Sequence, residues 1–470
     1  MKRRGFLKLT LAITGSILMP KYIYANSVDL STINFSVDIF NENRQTIVVF
    51  LNGGPSSLSG NLSNIDEINV SSQEDYFNNM GENLDKITEY DLWGKAGGEE
   101  MKNMLDNNEM TIIRTCYSEQ RESVGNKAHG ICTAQNMRGH FEEDRPGILT
   151  NISRVMAYHG NFNEMSLPFM TLAGENDFYA GDPVNGLKPV SLDYRLSNPF
   201  DRTMTSSIFY TVAERAAGPD NAYKEIDSTL DGIFDTQARS QNSIESMNSF
   251  LDNRKVLETK ISDVSTARRG GDAEDTNLLT YGYASEDSFH QTLATAIELL
   301  ESNTSTRSIT IGTGGLGGWD DHSYCVYNYT RRMKNLFTAL EAGMRHLDGL
   351  GKKGKVSIIV YGEFGRNVNL NASLGWDHGN LQNLFILGGT DYFNHVGGIN
   401  AIVGETVVDN GGTPKSGRIW LKPKEGSYWC EPLCVASTLY AIHGIGNPEV
   451  LTDGYGVINP QVNGQDFFTP

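Results

Sequence analysis

The sequence predicts an α/β protein with a mostly parallel central sheet, helices on both faces and a helical insertion. Short apolar and β-branched runs end in glycine turns, which is typical of strands buried on both faces. Helical periodicities alternate with such runs over residues 285–390, which is typical of βαβ units. The 470 residues suit one large domain with insertions, or two domains, and we expect a single domain that covers residues 26–470.

Six runs have the composition of strands in this sheet. The first, residues 46–51, is rich in β-branched residues and leads into the turn Asn52-Gly53-Gly54-Pro55. The other five are residues 110–115, 167–172, 308–312, 356–361 and 383–387.

Two stretches have apolar residues at helical spacings of three and four. One contains Phe289, Leu293, Ile297 and Leu300, and the other covers residues 329–347. Residues 200–280 are polar and helix-prone, with few strand signals. We interpret them as a helical insertion, which either caps the site or extends into solvent.

The first 25 residues have the pattern of an export signal. A basic start precedes an apolar run at residues 9–19, which is too short to span a bilayer. Arg3-Arg4 with Phe6-Leu7-Lys8 resembles a twin-arginine (Tat) signal, and an ordinary Sec signal is the alternative. We therefore expect the Tat machinery as a partner, cleavage after Ala25, and a periplasmic or secreted protein with no stable membrane insertion.

The charge of the chain argues against nucleic acid as a partner. The formal net charge is −18, and residues 1–25 contain only basic charges, so the remainder is more negative still. Such a surface repels nucleic acid and anionic lipid. An anionic substrate would therefore have to be held by local groups such as a metal ion.

Five cysteines are present, and two of them lie close together in the sequence. Cys430 and Cys434 are four residues apart, so an exported protein could form a local disulfide there. Two reduced thiols at a helix start fit the spacing equally well. No Cys-x-x-Cys pair occurs, which argues against a zinc ribbon.

Carboxylate and imidazole side chains crowd into residues 317–379, beside three predicted strands. Ligand sites in open α/β sheets gather at the carboxyl ends of strands, and Asp and neutral His are ordinary ligands of zinc and manganese. Each residue also has a structural alternative. Asp320 could cap a helix, His322 could be a buried hydrogen-bonded histidine, and Glu363 could pair with Arg366. Asp377 and His378 could belong to a plain turn formed with Gly379.

Three motifs together resemble those of a Tat-exported family called domain of unknown function 1501. They are Gly-Gly-Trp-Asp-x-His at 317–322, Gly-Glu-Phe-Gly-Arg at 362–366, and Asp-His-Gly at 377–379. His129 with Ala134-Gln135 also fits. The family is similar in fold to the alkaline phosphatase and sulfatase superfamily, so the resemblance implies an alkaline-phosphatase-like fold.

The resemblance also implies a two-metal site that hydrolyses a small anionic ester of phosphate or sulfate. On this analogy the cofactor is a divalent metal, zinc or manganese, and Arg366 steadies the oxyanion. The implied metal ligands are Asp320, His322, Glu363, Asp377 and His378.

The chain departs from the superfamily pattern at two places. The superfamily usually has Asp at the end of its first strand, where this chain has Asn52-Gly53-Gly54. Around Cys132 the Pro and Arg of a sulfatase nucleophile motif are missing. Thr133 is then a candidate nucleophile at a helix start, or a plain helix cap.

Two functions follow from these observations. The first is metal-dependent hydrolysis of phosphate or sulfate esters by an exported enzyme. The alternative is a catalytically inactive relative that acts as a periplasmic ligand-binding or envelope-assembly protein, which the missing first-strand acid favours.

Overall fold

The computed structural model describes most of the chain outside the N-terminus and the middle. The predicted signal at residues 1–25 and the predicted insertion up to residue 275 lie outside the described residues. The described ranges are 28–72, 85–125, 127–159, 168–172, 176–181, 190–192, 276–284, 287–302, 304–409 and 418–470.

The described residues form fourteen strands and ten α-helices. The strands are β1 (Gln45–Leu51), β2 (Lys86–Ile87), β3 (Leu92–Trp93), β4 (Met110–Tyr117), β5 (Phe169–Leu172), β6 (Val190–Leu192), β7 (Ser308–Ile311), β8 (Val356–Gly362), β9 (Leu381–Gly388), β10 (Ile402–Val403), β11 (Thr406–Asp409), β12 (Trp420–Pro423), β13 (Gln461–Val462) and β14 (Gln465–Asp466). The helices are α1 (Ile39–Glu42), α2 (Ile65–Ser72), α3 (Gly98–Asp106), α4 (Glu119–Val124), α5 (His129–Arg138), α6 (Ile148–Tyr158), α7 (Thr276–Tyr281), α8 (Ser288–Ser302), α9 (Cys325–Gly349) and α10 (Cys434–Ile442).

Eight strands form the central sheet in the order β10-β4-β9-β8-β1-β7-β5-β6. All six predicted strands lie in this sheet. Every neighbouring pair is parallel except the two pairs that contain β9, which is antiparallel to both β8 and β4. The prediction of a mostly parallel α/β sheet is therefore confirmed.

The direction of β9 follows from its connection to β8. Residues 363–380 join the two strands, and no α-helix in this loop carries the chain back to the opposite edge of the sheet. The chain therefore re-enters the sheet from the carboxyl edge, and β9 must run antiparallel to β8. As a result, the start of β9 lies at the same edge as the ends of β1, β7 and β8.

Helices cover both faces of the sheet, which explains the continuous apolar strands. In β1, Ile47 and Val49 face a core that includes α8 and α9, whereas Val48 and Phe50 face a core that includes α6 and α10. Each such fully buried side chain stabilises the fold by about 1.5–3 kcal/mol. Within the described ranges, no helix is both long and apolar enough to cross a membrane.

Candidate metal site

Three loops meet at the carboxyl edge of the sheet. The turn after β1 carries Gly53, the loop after β7 carries Asp320 and His322, and the loop between β8 and β9 carries Glu363 and His378. Helix α5 begins beside these loops at His129.

Four side chains of these elements converge. One ligand atom from each of His129, Asp320, His322 and His378 lies within 4.8 Å of the others. Asp320 Oδ1 lies 3.2 Å from His129 Nε2 and 3.1 Å from His322 Nε2. The Nε2 atoms of His322 and His378 are 3.0 Å apart. We call these four residues the His3Asp cluster.

The other ring nitrogen of each histidine faces an acceptor. A neutral histidine that donates from Nδ1 leaves Nε2 unprotonated and able to bind a metal. Such acceptors behind metal-binding histidines fix the tautomer and the ring orientation. The acceptors are Lys127 O, 2.6 Å from His378 Nδ1, Glu363 Oε1, 3.1 Å from His129 Nδ1, and Asp377 Oδ1, 3.4 Å from His322 Nδ1.

Electrostatics keep two residues of the cluster, Asp320 and His378, in the form that a cation needs. Burial lowers the pKa of His378 to about 4, so its ring is neutral at pH 7. Burial works against ionisation of Asp320, but hydrogen bonding and charge from Arg366 outweigh it and lower the pKa of that carboxyl. The cluster therefore presents a carboxylate and a neutral imidazole near neutral pH.

Arg366 fixes the position of Asp320. Its guanidinium is fully buried and donates to Asp320 Oδ1 at 2.7 Å. It also donates to Gly54 O at 2.7 Å, to Trp376 O at 3.1 Å and to Gly53 O. Arg366 thus ties the loops after β1, β7 and β8 together.

Glu363 lies behind His129. This buried carboxylate accepts from Thr133 Oγ1 at 2.8 Å and from the Gly53 amide, and its Oε1 lies 3.1 Å from His129 Nδ1. Thr133 is the fifth residue of α5 and not a helix cap. Because the Thr133 hydroxyl donates to Glu363, its proton points at a carboxylate.

Gly53 allows two loops to approach unusually closely. Its φ is +104°, and a Cβ there would lie 2.4 Å from the Asp320 amide nitrogen. The Trp319 amide also donates to Asn52 O at 3.0 Å. The glycine turn that follows the first strand therefore sets the position of Asp320.

The donor set fits a divalent ion. Ligand atoms around tetrahedral zinc with bonds of 2.0–2.1 Å are about 3.3 Å apart, close to the 3.0–3.2 Å separations in the His3Asp cluster. His129 Nε2 is buried and has no hydrogen-bond partner among the described residues, although Asp320 lies beside it. A cation would satisfy this nitrogen.

The structure brings three of the five predicted ligands together, namely Asp320, His322 and His378. Glu363 and Asp377 contact histidines of the cluster from behind instead. Ligation by any of these residues stays a prediction, and so does a second metal, since the described residues contain one such group of donors. Sequence reasoning missed His129 as a ligand, because it lies far upstream and no spacing connects it to the other three.

Comparisons with known proteins give a family match and distant structural likenesses. Residues 219–411 match the model of a family described as "Protein of unknown function (DUF1501)". No curated protein matches the chain.

Three solved structures are similar to this chain at low identity. Ps i-CgsB, in complex with k-i-k-neocarrahexaose, is 9% identical, with 88% of this chain and 74% of that chain covered and a TM-score of 0.36. The lipoteichoic acid synthase LtaP from Listeria monocytogenes is 9% identical, with 89% and 77% covered and a TM-score of 0.31. BT4656, in complex with its substrate D-glucosamine-2-N,6-O-disulfate, is 10% identical, with 88% and 81% covered and a TM-score of 0.30. Likenesses at this level do not extend to activity.

Proposed function

We propose that the chain binds one zinc or manganese ion through the His3Asp cluster and hydrolyses phosphate or sulfate esters there. The observation that carries this proposal is the convergence of the four side chains. The Nε2 atoms of His129 and His322 lie against Asp320 Oδ1, and His378 Nε2 lies against His322 Nε2. A bound ion would act as a Lewis acid on the ester oxygens.

Thr133 is the proposed nucleophile. Its hydroxyl donates to the buried carboxylate of Glu363 at 2.8 Å, so Glu363 is placed to accept the proton when the oxygen attacks. The same carboxylate contacts His129 of the cluster. Glu363 therefore connects the attacking oxygen of Thr133 to His129, one of the proposed metal ligands.

Arg366 has a positioning role in this proposal. Its side chain is fully buried, and it donates to Asp320, to backbone carbonyls and, at 3.4 Å, to His322 Nε2. Arg366 therefore keeps Asp320 ionised and in place. We propose this role for Arg366 instead of the direct contact with the oxyanion that the resemblance implies.

The openness and local charge of the site support an anionic substrate. Half of the Asp320 side chain and 43% of the His322 side chain are exposed, so a ligand reaches the cluster from solvent. Arg418, 45% exposed, lies against Asp377, which contacts His322. This cation at the rim offsets locally the net negative charge of the chain.

A second candidate is a catalytically inactive, metal-containing binding protein, exported by the Tat route. Two features favour it. Asn52 follows β1 where the superfamily has Asp, and an amide is a weaker ligand than a carboxylate for a hard cation. Four protein ligands would also fill a tetrahedral zinc ion and leave no open position for a substrate.

Turnover of model esters distinguishes the two candidates. We would load the protein with zinc or manganese and assay an aryl phosphate, a bis-aryl phosphodiester and an aryl sulfate. Hydrolysis is expected for at least one ester, with loss in His378→Ala and retention in His159→Ala, a histidine at the end of α6 outside the cluster. Metal-loaded protein that turns over none of the three contradicts the hydrolase and favours the binding protein.

A further inference from the structure

Cys116 and Cys430 lie directly opposite each other on adjacent backbone segments. They form an isolated parallel bridge at the end of β4. The Tyr117 amide donates to Cys430 O at 2.9 Å, and the Cys430 amide donates to Thr115 O at 3.1 Å. Neighbouring strands are about 4.8 Å apart, which lies within the Cα separation of about 4.4–6.8 Å that a disulfide spans.

Residues paired in a parallel ladder place their side chains on the same face of the sheet. Cys116 raises the pKa of the neighbouring Cys430 thiol, and both side chains are buried, with 0% and 4% of their surface exposed. All five cysteines of the sequence lie in described ranges, and all are free thiols in the structure. The other two buried cysteines, Cys132 and Cys325, lie on α5 and α9.

We infer that Cys116 and Cys430 form a disulfide when the chain folds in oxidising surroundings. The oxidant is a small-molecule or protein disulfide. One thiolate attacks it to give a mixed disulfide, and the second thiolate displaces the leaving thiol. The net change converts two cysteine thiols and one external disulfide into the Cys116–Cys430 bond and two external thiols.

This pairing differs from the local Cys430–Cys434 bridge that the sequence allows. Cys434 begins α10 and is partly exposed, whereas Cys430 precedes that helix and faces β4. The backbone pairing thus already places Cys116 beside Cys430. Cys434 remains a third thiol nearby. It contributes to the raised pKa of Cys430, and Cys116 contributes to the raised pKa of Cys434.

The bond would join the central sheet to the C-terminal part of the chain. Residues 116 and 430 enclose most of the domain, and a crosslink over such a long loop restricts the unfolded chain strongly. Hydrogen bonding to Cys116 and burial raise the pKa of Cys430 well above its ordinary value, and burial raises that of Cys434 to about 12. The Cys430 thiolate is therefore scarce in the folded protein, and burial of both residues protects the bond from reductants once it has formed.

Peptide mapping of the full chain tests this inference. The protein would be produced once in a reducing compartment and once in a compartment that catalyses disulfide formation, then denatured, alkylated and digested without reductant. Mass spectrometry is expected to find a Cys116–Cys430 crosslinked peptide only in the second sample. Titration of free thiols should give five in the first sample and three in the second.

Two variants serve as controls. Cys434→Ser should keep the crosslink, and Cys116→Ser should lose it without forming a Cys430–Cys434 bond. The melting temperature of the oxidised wild type should fall by several degrees on reduction, while that of Cys116→Ser does not change. Five free thiols in the oxidised sample, or a Cys430–Cys434 crosslink in the wild type, would overturn the inference.

Discussion

The Nε2 atoms of His322 and His378 face each other at 3.0 Å. His378 donates from Nδ1 to Lys127 O, so its Nε2 is an unprotonated lone pair. His322 places its own Nδ1 against the Asp377 carboxylate, which favours the same tautomer. Two lone pairs at this distance repel each other, and Arg366 Nη1, 3.4 Å from His322 Nε2, offsets only one of them. A cation bound between the two nitrogens would remove the repulsion, and this relationship is the physical basis of the proposed metal site.

Gly53→Ala is predicted to abolish metal binding while the fold is retained. A Cβ at this position would overlap the backbone of Trp319 and Asp320, and φ of +104° adds strain. Asp320 would then move out of the cluster, at a cost of about 1–3 kcal/mol in stability. Isothermal titration with zinc measures the effect.

The matched control for this change is Gly130→Ala. A Cβ at Gly130 meets nothing within 4 Å, and the position lies in α5 next to His129. It should bind zinc like the wild type and be more stable by about 0.5–1 kcal/mol. Equal zinc affinity of the two variants would contradict the role assigned to Gly53.

Glu363→Gln is predicted to weaken metal binding by about 10–100-fold. The amide keeps the volume of the side chain but removes the charge behind His129 Nδ1, so the imidazole becomes a weaker ligand. Competition with a chromogenic chelator measures the affinity. Glu405→Gln, on an exposed carboxylate paired with Lys424, is the control and should not change it.

Thr133→Val is predicted to lower kcat/KM for the preferred ester by at least about 100-fold, whereas Thr133→Ser keeps most of it. Valine preserves the shape but lacks the hydroxyl that donates to Glu363. Metal content should be unchanged in both variants. Full activity of Thr133→Val with normal metal content would rule Thr133 out as the nucleophile.

The protein is predicted to lose stability as the pH falls below about 6.5. Burial lowers the pKa of His395 to about 4 and that of His443 to about 3. The unfolded chain, with ordinary histidine pKa values, takes up protons first, so each residue costs up to about 1.4 kcal/mol per pH unit between the unfolded and folded values. Above pH 6.5 both histidines are neutral in the folded and the unfolded chain, so neither changes the stability with pH.

Urea unfolding at pH 7.5, 6 and 5 measures this loss. His395→Gln, which removes one titrating group beside Thr111 and Gly388 O, should show a shallower decline than the wild type. Identical slopes for the two proteins would contradict the assignment of this pH dependence to His395.

The fold was predictable because its signals are local. The buried strand β1 alternates between two cores, so Ile47, Val48 and Val49 form a continuous apolar run that sequence reasoning recognises. The antiparallel direction of β9 is not encoded in its own residues. It results from the loop 363–380, which returns the chain to the sheet at the same edge.

The site was only partly predictable because ligation depends on tertiary distance. Asp320 and His322 were recognisable from their position after a strand. His129 stands alone in the sequence and reaches the cluster only because α5 starts at the carboxyl edge. Glu363 is a carboxylate, so its residue type alone is compatible with ligation. Only the hydrogen bonds that it accepts from Thr133 and Gly53 show that it lies behind the cluster.

Metal content tests the central claim most directly. The wild type and His129→Ala would be dialysed against zinc and against manganese, freed of excess ion, and analysed by plasma mass spectrometry. We predict about one ion per chain in the wild type with at least one of the two metals. His129→Ala should lose most of it, while His159→Ala should not. A folded wild type that retains neither metal would contradict the assignment of the His3Asp cluster as a metal site.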